Sequence, residues 1–334
     1  MKGIIEKKEE YLDYLDFAKG IGILLVIAGH SLFPLHFAID IFHMPLFFLL
    51  AGITFHIPTN RSEFLLKKID RIFIPWGFFS IVSALFRQIV PPIKSITEPF
   101  NGPLWFLQTI FTALLLYMLI CMYCKKEVII HIIIFLISFY IYVLAKNHIT
   151  ILPFSIDRAL LAVVFIHIGK IVKKHNMYVS MNVWRIIVIL TIMAIIYCIG
   201  LYFFYKNYAG VEGEHFLSLA TYSHNYFLFW FTCLSAIFVV LIVSMLIKKM
   251  QPLNWLGKHS LIILCVHFPF IQRLNQFIAS TSLYSGMGIH GKVFAGLIVY
   301  SITIAISVFF IIVCRRYIPA LTGYKWYFYH KNNE

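Results

Sequence analysis

Three ionisable side chains, Asp16, Lys19 and His30, stand inside one apolar run, residues 16–31, DFAKGIGILLVIAGHS. Ionisable groups in a membrane-length segment are costly, which makes them functional candidates. Lys19 and His30 are eleven residues apart. On a helix that spacing is about 1100° of rotation, within roughly 20° of one face, and about 16 Å of rise. A cation at one membrane surface would then share a face with an imidazole near or past the middle of a hydrocarbon core about 30 Å thick. An imidazole, with an ordinary pKa of about 6.5, suits general-base work near neutral pH, such as taking the proton of an attacking hydroxyl. Asp16 is spaced to pair with Lys19 on one helical face. It is too far along the helix to orient His30, so any partner for that ring must come from another span.

Further candidates lie along the chain. His43 follows a short turn after His36 and is expected on the same side as His30. Lys67, Lys68 and Arg71 precede the next apolar run, and Lys68 and Arg71 are one helical turn apart, spaced to converge on one anion. Arg71 can hold a phosphate through a planar fork, whereas lysine offers a point charge. Trp105, in GPLWFL, is either a stacking face for a sugar or a belt aromatic. Asp157 and Arg158 are adjacent near the end of an apolar run and point about 100° apart on a helix, so each should find a different partner. His267 sits inside another apolar run. His131 and His167 read as structural. A His30/His36/His43 metal site lacks carboxylate or cysteine partners at ligand spacing, and no metal is expected. Cys121 and Cys124 form a lone C-x-x-C that reads as packing rather than zinc or redox chemistry.

The elements that must position these residues are membrane helices. Hydrophobic residues make up 61% of the 334, and charged ones only 13%, too little polar surface for a soluble domain of this size. Long unbroken apolar runs demand helices, because lipid offers no partner to a free backbone group. The runs fall at about 15–35, 39–55, 72–90, 104–123, 128–145, 151–172, 183–205, 226–247, 260–278 and 293–313. The expected fold is an all-α integral membrane bundle of about ten transmembrane helices. It forms a single domain over residues 1–334, with residues 1–14 and 314–334 as cytoplasmic ends. The net charge of +14 does not indicate nucleic acid. With the N-terminus inside, only Arg87, Lys94, Lys146, Arg158, Lys206, Arg273 and Lys292 of the 28 Lys and Arg fall outside. That is the positive-inside bias, which places both termini in the cytoplasm. The longest outer loop, near residues 206–225, carries Glu212, Glu214, His215 and His224. Nothing in the sequence sets an oligomeric state.

The Asp16-x-x-Lys19 pair followed by His30 resembles the first helix of the membrane acyltransferase-3 family. Residues 42–52 (FHMPLFFLLAG), 68–75 (KIDRIFIP), 102–107 (GPLWFL) and 256–267 (LGKHSLIILCVH) follow in that family's order. The closest branch looks like the sugar O-acetyltransferases of the fucose 4-O-acetylase type. Many members have arginine where this chain has Lys19, and a second arginine where it has Lys68. The resemblance implies acyl transfer from cytoplasmic acetyl-CoA to a sugar hydroxyl of a lipid-linked glycan or surface polysaccharide, in a bacterial-type inner membrane. Asp16, Lys19 and His30 would be catalytic. Lys19, Lys67, Lys68 and Arg71 would meet the donor, and His43, Trp105, Asp157, Arg158 and His267 the acceptor. A transporter of polysaccharide or small solute, the same fold with another acyl group such as succinyl, and a sensor without activity are the competing readings.

Overall fold

The computed structural model describes residues 2–33, 36–87, 102–146, 156–175, 182–208, 226–247 and 249–322. Glu212, Glu214, His215 and His224, and the aromatic and basic tail beyond residue 322, lie outside the described residues. What is described is almost wholly helical, and no strand occurs among these residues. The long helices are α1 (Lys2–His30), α3 (His43–Thr54), α5 (Ile74–Arg87), α6 (Trp105–Tyr123), α7 (Glu127–Lys146), α8 (Ile156–Lys174), α9 (Val183–Tyr208), α10 (Tyr226–Ile247), α12 (Ser260–Ala279) and α14 (Ile289–Tyr317). Short helices α2 (His36–Asp40), α4 (Arg61–Lys68), α11 (Gln251–Lys258) and α13 (Ser282–Gly286) join them.

A helix thus falls on each of the ten expected apolar runs. Six are long and apolar enough to cross a membrane: His36–Thr54, Gly102–Tyr123, Trp184–Phe204, Tyr226–Ile247, Ser260–Ala279 and Ile289–Tyr317. Of the others, α5 is short, while α1 and α8 carry Asp16 with Lys19 and Asp157 with Arg158. Two helices that fall short by composition are therefore ones that hold candidate residues. The first helix also differs from its expected range. It starts well before residue 15 and stops at His30, where Ser31 turns its hydroxyl back onto the Ile27 carbonyl at 2.7 Å. His30 is consequently a helix-end residue. The expected turn after it is itself partly helical, as α2.

The core is mainly apolar with polar groups set into it, and large apolar side chains also face outward, where lipid would lie. Large side chains such as Ile132, Phe135 and Phe139 on α7, and Trp184, Val188, Ile195 and Tyr202 on α9, are exposed. Asp157, Gln108, Thr232, Ser244, His267 and Thr303 are buried. Several buried hydroxyls bond a carbonyl one turn back on their own helix, as Thr232 does to Leu228 and Thr303 to Val299, each at 2.7 Å.

Two helix crossings are made by glycine pairs. A β-carbon on Gly52 of α3 would overlap the Ile166 carbonyl oxygen of α8, and one on Gly169 of α8 would overlap the Leu49 carbonyl oxygen of α3. Each helix presses its backbone into the other's glycine, the close approach that small residues permit in membranes. Beyond the crossing, Lys173 in the last turn of α8 donates to His56 Nε2 just past α3, at 2.9 Å. The two helices therefore run parallel, and the His43 end of α3 lies on the Asp157 end of α8. The second crossing joins α1 to α11 in the same reciprocal way, Gly20 against the Leu253 carbonyl and Gly257 against the Asp16 carbonyl.

Candidate active site

The crossing of α1 and α11 fixes the Asp16 end of the first helix. Asn254 of α11 donates to the Asp13 carbonyl at 2.9 Å. The Asp16 carboxylate accepts from Lys19 Nζ at 3.1 Å and faces Lys258 Nζ at 3.9 Å. Lys258, unlike Lys19, shares no local spacing with Asp16, and sequence reasoning did not place it here. Asp16 is the more buried member, with a side-chain exposure of 13% against 33% for Lys19. The carboxylate therefore acts as a fixed anchor between two cations that both reach solvent.

At the other end of α1, His30 is half-buried against α12. Its ring lies 5.5 Å from that of His267, tilted by 33°, and 5.3 Å from Phe268, edge to face. Asn275, two turns further along α12, donates to the His30 carbonyl at 2.8 Å and so caps the end of α1. His267 is fully buried, and its Nδ1 faces the Ile263 carbonyl at 2.9 Å. A carbonyl only accepts, so Nδ1 carries the proton and Nε2 the lone pair. Buried His43 does the same with the Ile39 carbonyl, also at 2.9 Å. His43 and His36 both lie within electrostatic reach of His30. Pro269, two residues past His267, withdraws one backbone donor from α12 beside this cluster.

The GPLW stretch joins the same end. Gly102 packs on the Phe268 ring, where a β-carbon would sit at 3.3 Å. Trp105 then opens α6, and the Arg158 guanidinium lies over its ring at 4.9 Å. One face of Trp105 is thus taken by a cation–π contact, and the ring also meets Phe106 edge to face. Asp157 is buried at 2% exposure, next to a half-buried Arg158.

Lys67, Lys68 and Arg71 are organised separately, by α4 and the residues that follow it. Asn60 caps α4, its Oδ1 accepting from Ser62 and Glu63 N–H groups, and Lys67 pairs with Glu63. Residues Ile69–Phe73 then form a π-helical turn. Such turns widen the helix and occur often at functional sites. The smaller angular step swings Lys68 and Arg71 further apart than the expected α-helical turn would. Lys68 Nζ lies over the Phe64 ring at 5.0 Å, whereas Arg71 is exposed and Asp70 buried. Burial, reinforced by the Arg71 and Lys67 charges, lowers the Lys68 ammonium to about 8.

A third polar array had no sequence signal, because its members come from three helices. His131 Nδ1 and His167 Nε2 are 2.8 Å apart, and Tyr117 OH meets His167 Nδ1 at 2.9 Å. Lys170 reaches Cys121 Sγ at 3.7 Å. All six cysteines are free, and no group of metal-ligating side chains occurs among the described residues.

Residues 12–316 match the acyltransferase-3 family model, described as an acyltransferase domain. No curated protein and no solved structure matches the chain. The matched region takes in the whole of the His30 cluster, the anchored Asp16 and Lys19, the π turn and the GPLW stretch. With that coverage the chain belongs to the acyltransferase-3 family, and it is a membrane acyltransferase.

Proposed function

We propose that this acyltransferase moves an acetyl group from cytoplasmic acetyl-CoA to a sugar hydroxyl of a lipid-linked glycan or cell-surface polysaccharide, in a bacterial-type inner membrane. The observation that carries the reading is His30 at the end of a charged first helix, its ring 5.5 Å from that of a buried histidine whose Nε2 has no hydrogen-bond partner among the described residues. His30 takes the proton of the acceptor hydroxyl as the hydroxyl oxygen attacks the thioester carbonyl. The carbon–sulfur bond breaks, and the CoA thiolate leaves. His43 and His267 receive other hydroxyls of the acceptor, and Trp105 with Arg158 and Asp157 form the neighbouring wall. Lys19, Lys67, Lys68 and Arg71 meet the phosphates of the donor, and Asp16 holds Lys19 in place. The test is direct. Purified protein given acetyl-CoA and the glycan should form an ester, and a transporter would not.

The same reading holds that ten helices cross the bilayer with both termini in the cytoplasm, from the alternation of Lys/Arg-rich and Lys/Arg-poor loops. Reporter fusions after Lys126 and after Lys249 should read as cytoplasmic, and one near Glu212 as external. A cytoplasmic signal near Glu212 would break this topology at α9.

The donor site has its own test. Arg71→Ala should weaken acetyl-CoA binding by about 1.5–3 kcal/mol, the range of a charge-assisted hydrogen bond, with protein yield unchanged. Lys68 holds its proton below about pH 8 and loses it above. Donor affinity should therefore fall as pH rises through 8, and Lys68→Arg should flatten that fall. Calorimetry showing unchanged affinity in both Arg71→Ala and Lys68→Ala would leave these residues as plain lipid-facing charge.

A further inference from the structure

His267 presents a hydrogen-bond acceptor with nothing to accept from. Its Nδ1–H is committed to the Ile263 carbonyl, and the residue is fully buried. Nε2 is also buried and has no hydrogen-bond partner among the described residues. A buried, unpaired polar atom costs stability and calls for an explanation. Asn275 repeats the pattern on the same face of α12. Its Nδ2 is committed to the His30 carbonyl at 2.8 Å, and its Oδ1 is left buried and unpartnered. Two bare acceptors on α12 thus belong to side chains that touch His30, one at its ring and one at its carbonyl. Acceptors repel an anion and do not hold a carbonyl; they bind O–H or N–H donors. An acceptor molecule with one hydroxyl would satisfy His30 and leave His267 bare.

We propose that the site takes its acceptor through two hydroxyls on adjacent carbons, the attacking one at His30 and its neighbour donating to His267 Nε2. This rests on the sugar-acylation reading above and narrows it from any hydroxyl to a vicinal diol. The His30 and His267 rings are neighbours, with centroids 5.5 Å apart. Oxygens on adjacent carbons lie closer together than that, so two hydrogen bonds of about 2.8 Å would splay outward from them, one to each ring. His267 then sets which hydroxyl faces His30, so it determines the position of the ester and does not itself take the proton.

The test is to map the ester. Surface glycan from cells with and without the gene is compared by NMR. The gene-dependent acetyl group should sit on a carbon whose neighbour carries a free hydroxyl. The sugar so identified, and its analogue lacking that neighbouring hydroxyl, are then offered to purified protein with acetyl-CoA. Wild type should prefer the diol by about tenfold or more in kcat/KM, as a site that loses its partner to a buried acceptor requires. His267→Phe fills the same space without a lone pair. It should be at least as stable to heat, lose the preference, and have a raised KM. His267→Gln, which can return an acceptor oxygen near the Nε2 position, should restore part of the preference. An ester at a carbon without a free neighbour would overturn the inference, as would a wild type indifferent to the missing hydroxyl or a His267→Phe variant that keeps the preference. Identical acetylation with and without the gene would instead remove the sugar-acylation reading, and this inference with it.

Discussion

His30→Gln is expected to fold, to bind acetyl-CoA and to lose acyl transfer by roughly 10² to 10⁴-fold, the range for a general acid–base group. A sugar hydroxyl is a weak nucleophile at neutral pH, and the proton it sheds during attack needs a receiver within hydrogen-bond reach. Glutamine keeps the polarity and approximate size of histidine and cannot take that proton. The variant gives up the ring contact with Phe268 but keeps the Asn275 cap, which bonds the backbone carbonyl of residue 30 and not its side chain. The loss should fall on kcat, with acetyl-CoA affinity by calorimetry unchanged. Purified His30→Gln that acylated the glycan at near wild-type rate would make His30 a structural histidine.

The second large effect is on the protein itself. Gly169→Ala and Gly52→Ala should each cost stability at or beyond the upper end of the 1–3 kcal/mol typical of overpacking. In both cases the new β-carbon meets the backbone of the facing helix, the Leu49 or the Ile166 carbonyl, and a backbone cannot rotate out of the way. The helices must separate, and His43 moves with α3. The measurement is the yield of monodisperse protein in detergent and its melting temperature. Gly77→Ala on α5 is the control, because a β-carbon there meets nothing within 4 Å. If Gly169→Ala and Gly77→Ala melted alike, the parallel contact of α3 and α8 would be wrong.

What the sequence made legible was what depends on short spacing or bulk composition. Apolar runs located the helices because lipid forces every backbone group into a helix. Asp16 and Lys19 were readable as a pair because three residues along a helix fix their distance. The partners of those same residues were not readable. Lys258 reaches Asp16, and His267 reaches His30, only through how α11 and α12 pack on α1, which the periodicity of one helix does not encode. The same holds for His131 and His167, read as two separate structural histidines and found joined through a shared hydrogen bond. The π turn at Ile69–Phe73 was hidden for a different reason. Its residues, IDRIF, are ordinary for a helix, and the extra residue per turn is a choice made by the surroundings. The end of α1 at His30 was not readable, because the apolar run continues past the turn at Ser31, and its start was not readable because helical geometry runs on through the charged residues before the run.

The contacts of α1 with α11 and α12 also bear on how the protein is made. Asn254 bonds the Asp13 carbonyl across 241 residues of chain, and Asn275 bonds His30 across 245. At about 5–20 residues per second, a ribosome that has released the first helix into the bilayer takes roughly 10–50 s more to deliver these partners. Through that interval Asp16 lacks Lys258, Gly20 lacks the backbone that fills its groove, and His30 lacks both its aromatic edge and its histidine neighbour. The Asp16 face of α1 is thus among the last to be packed. A nascent chain stalled before residue 251 could set α1 against α2, α3 and α10, but its Asp16 would still lack Lys258.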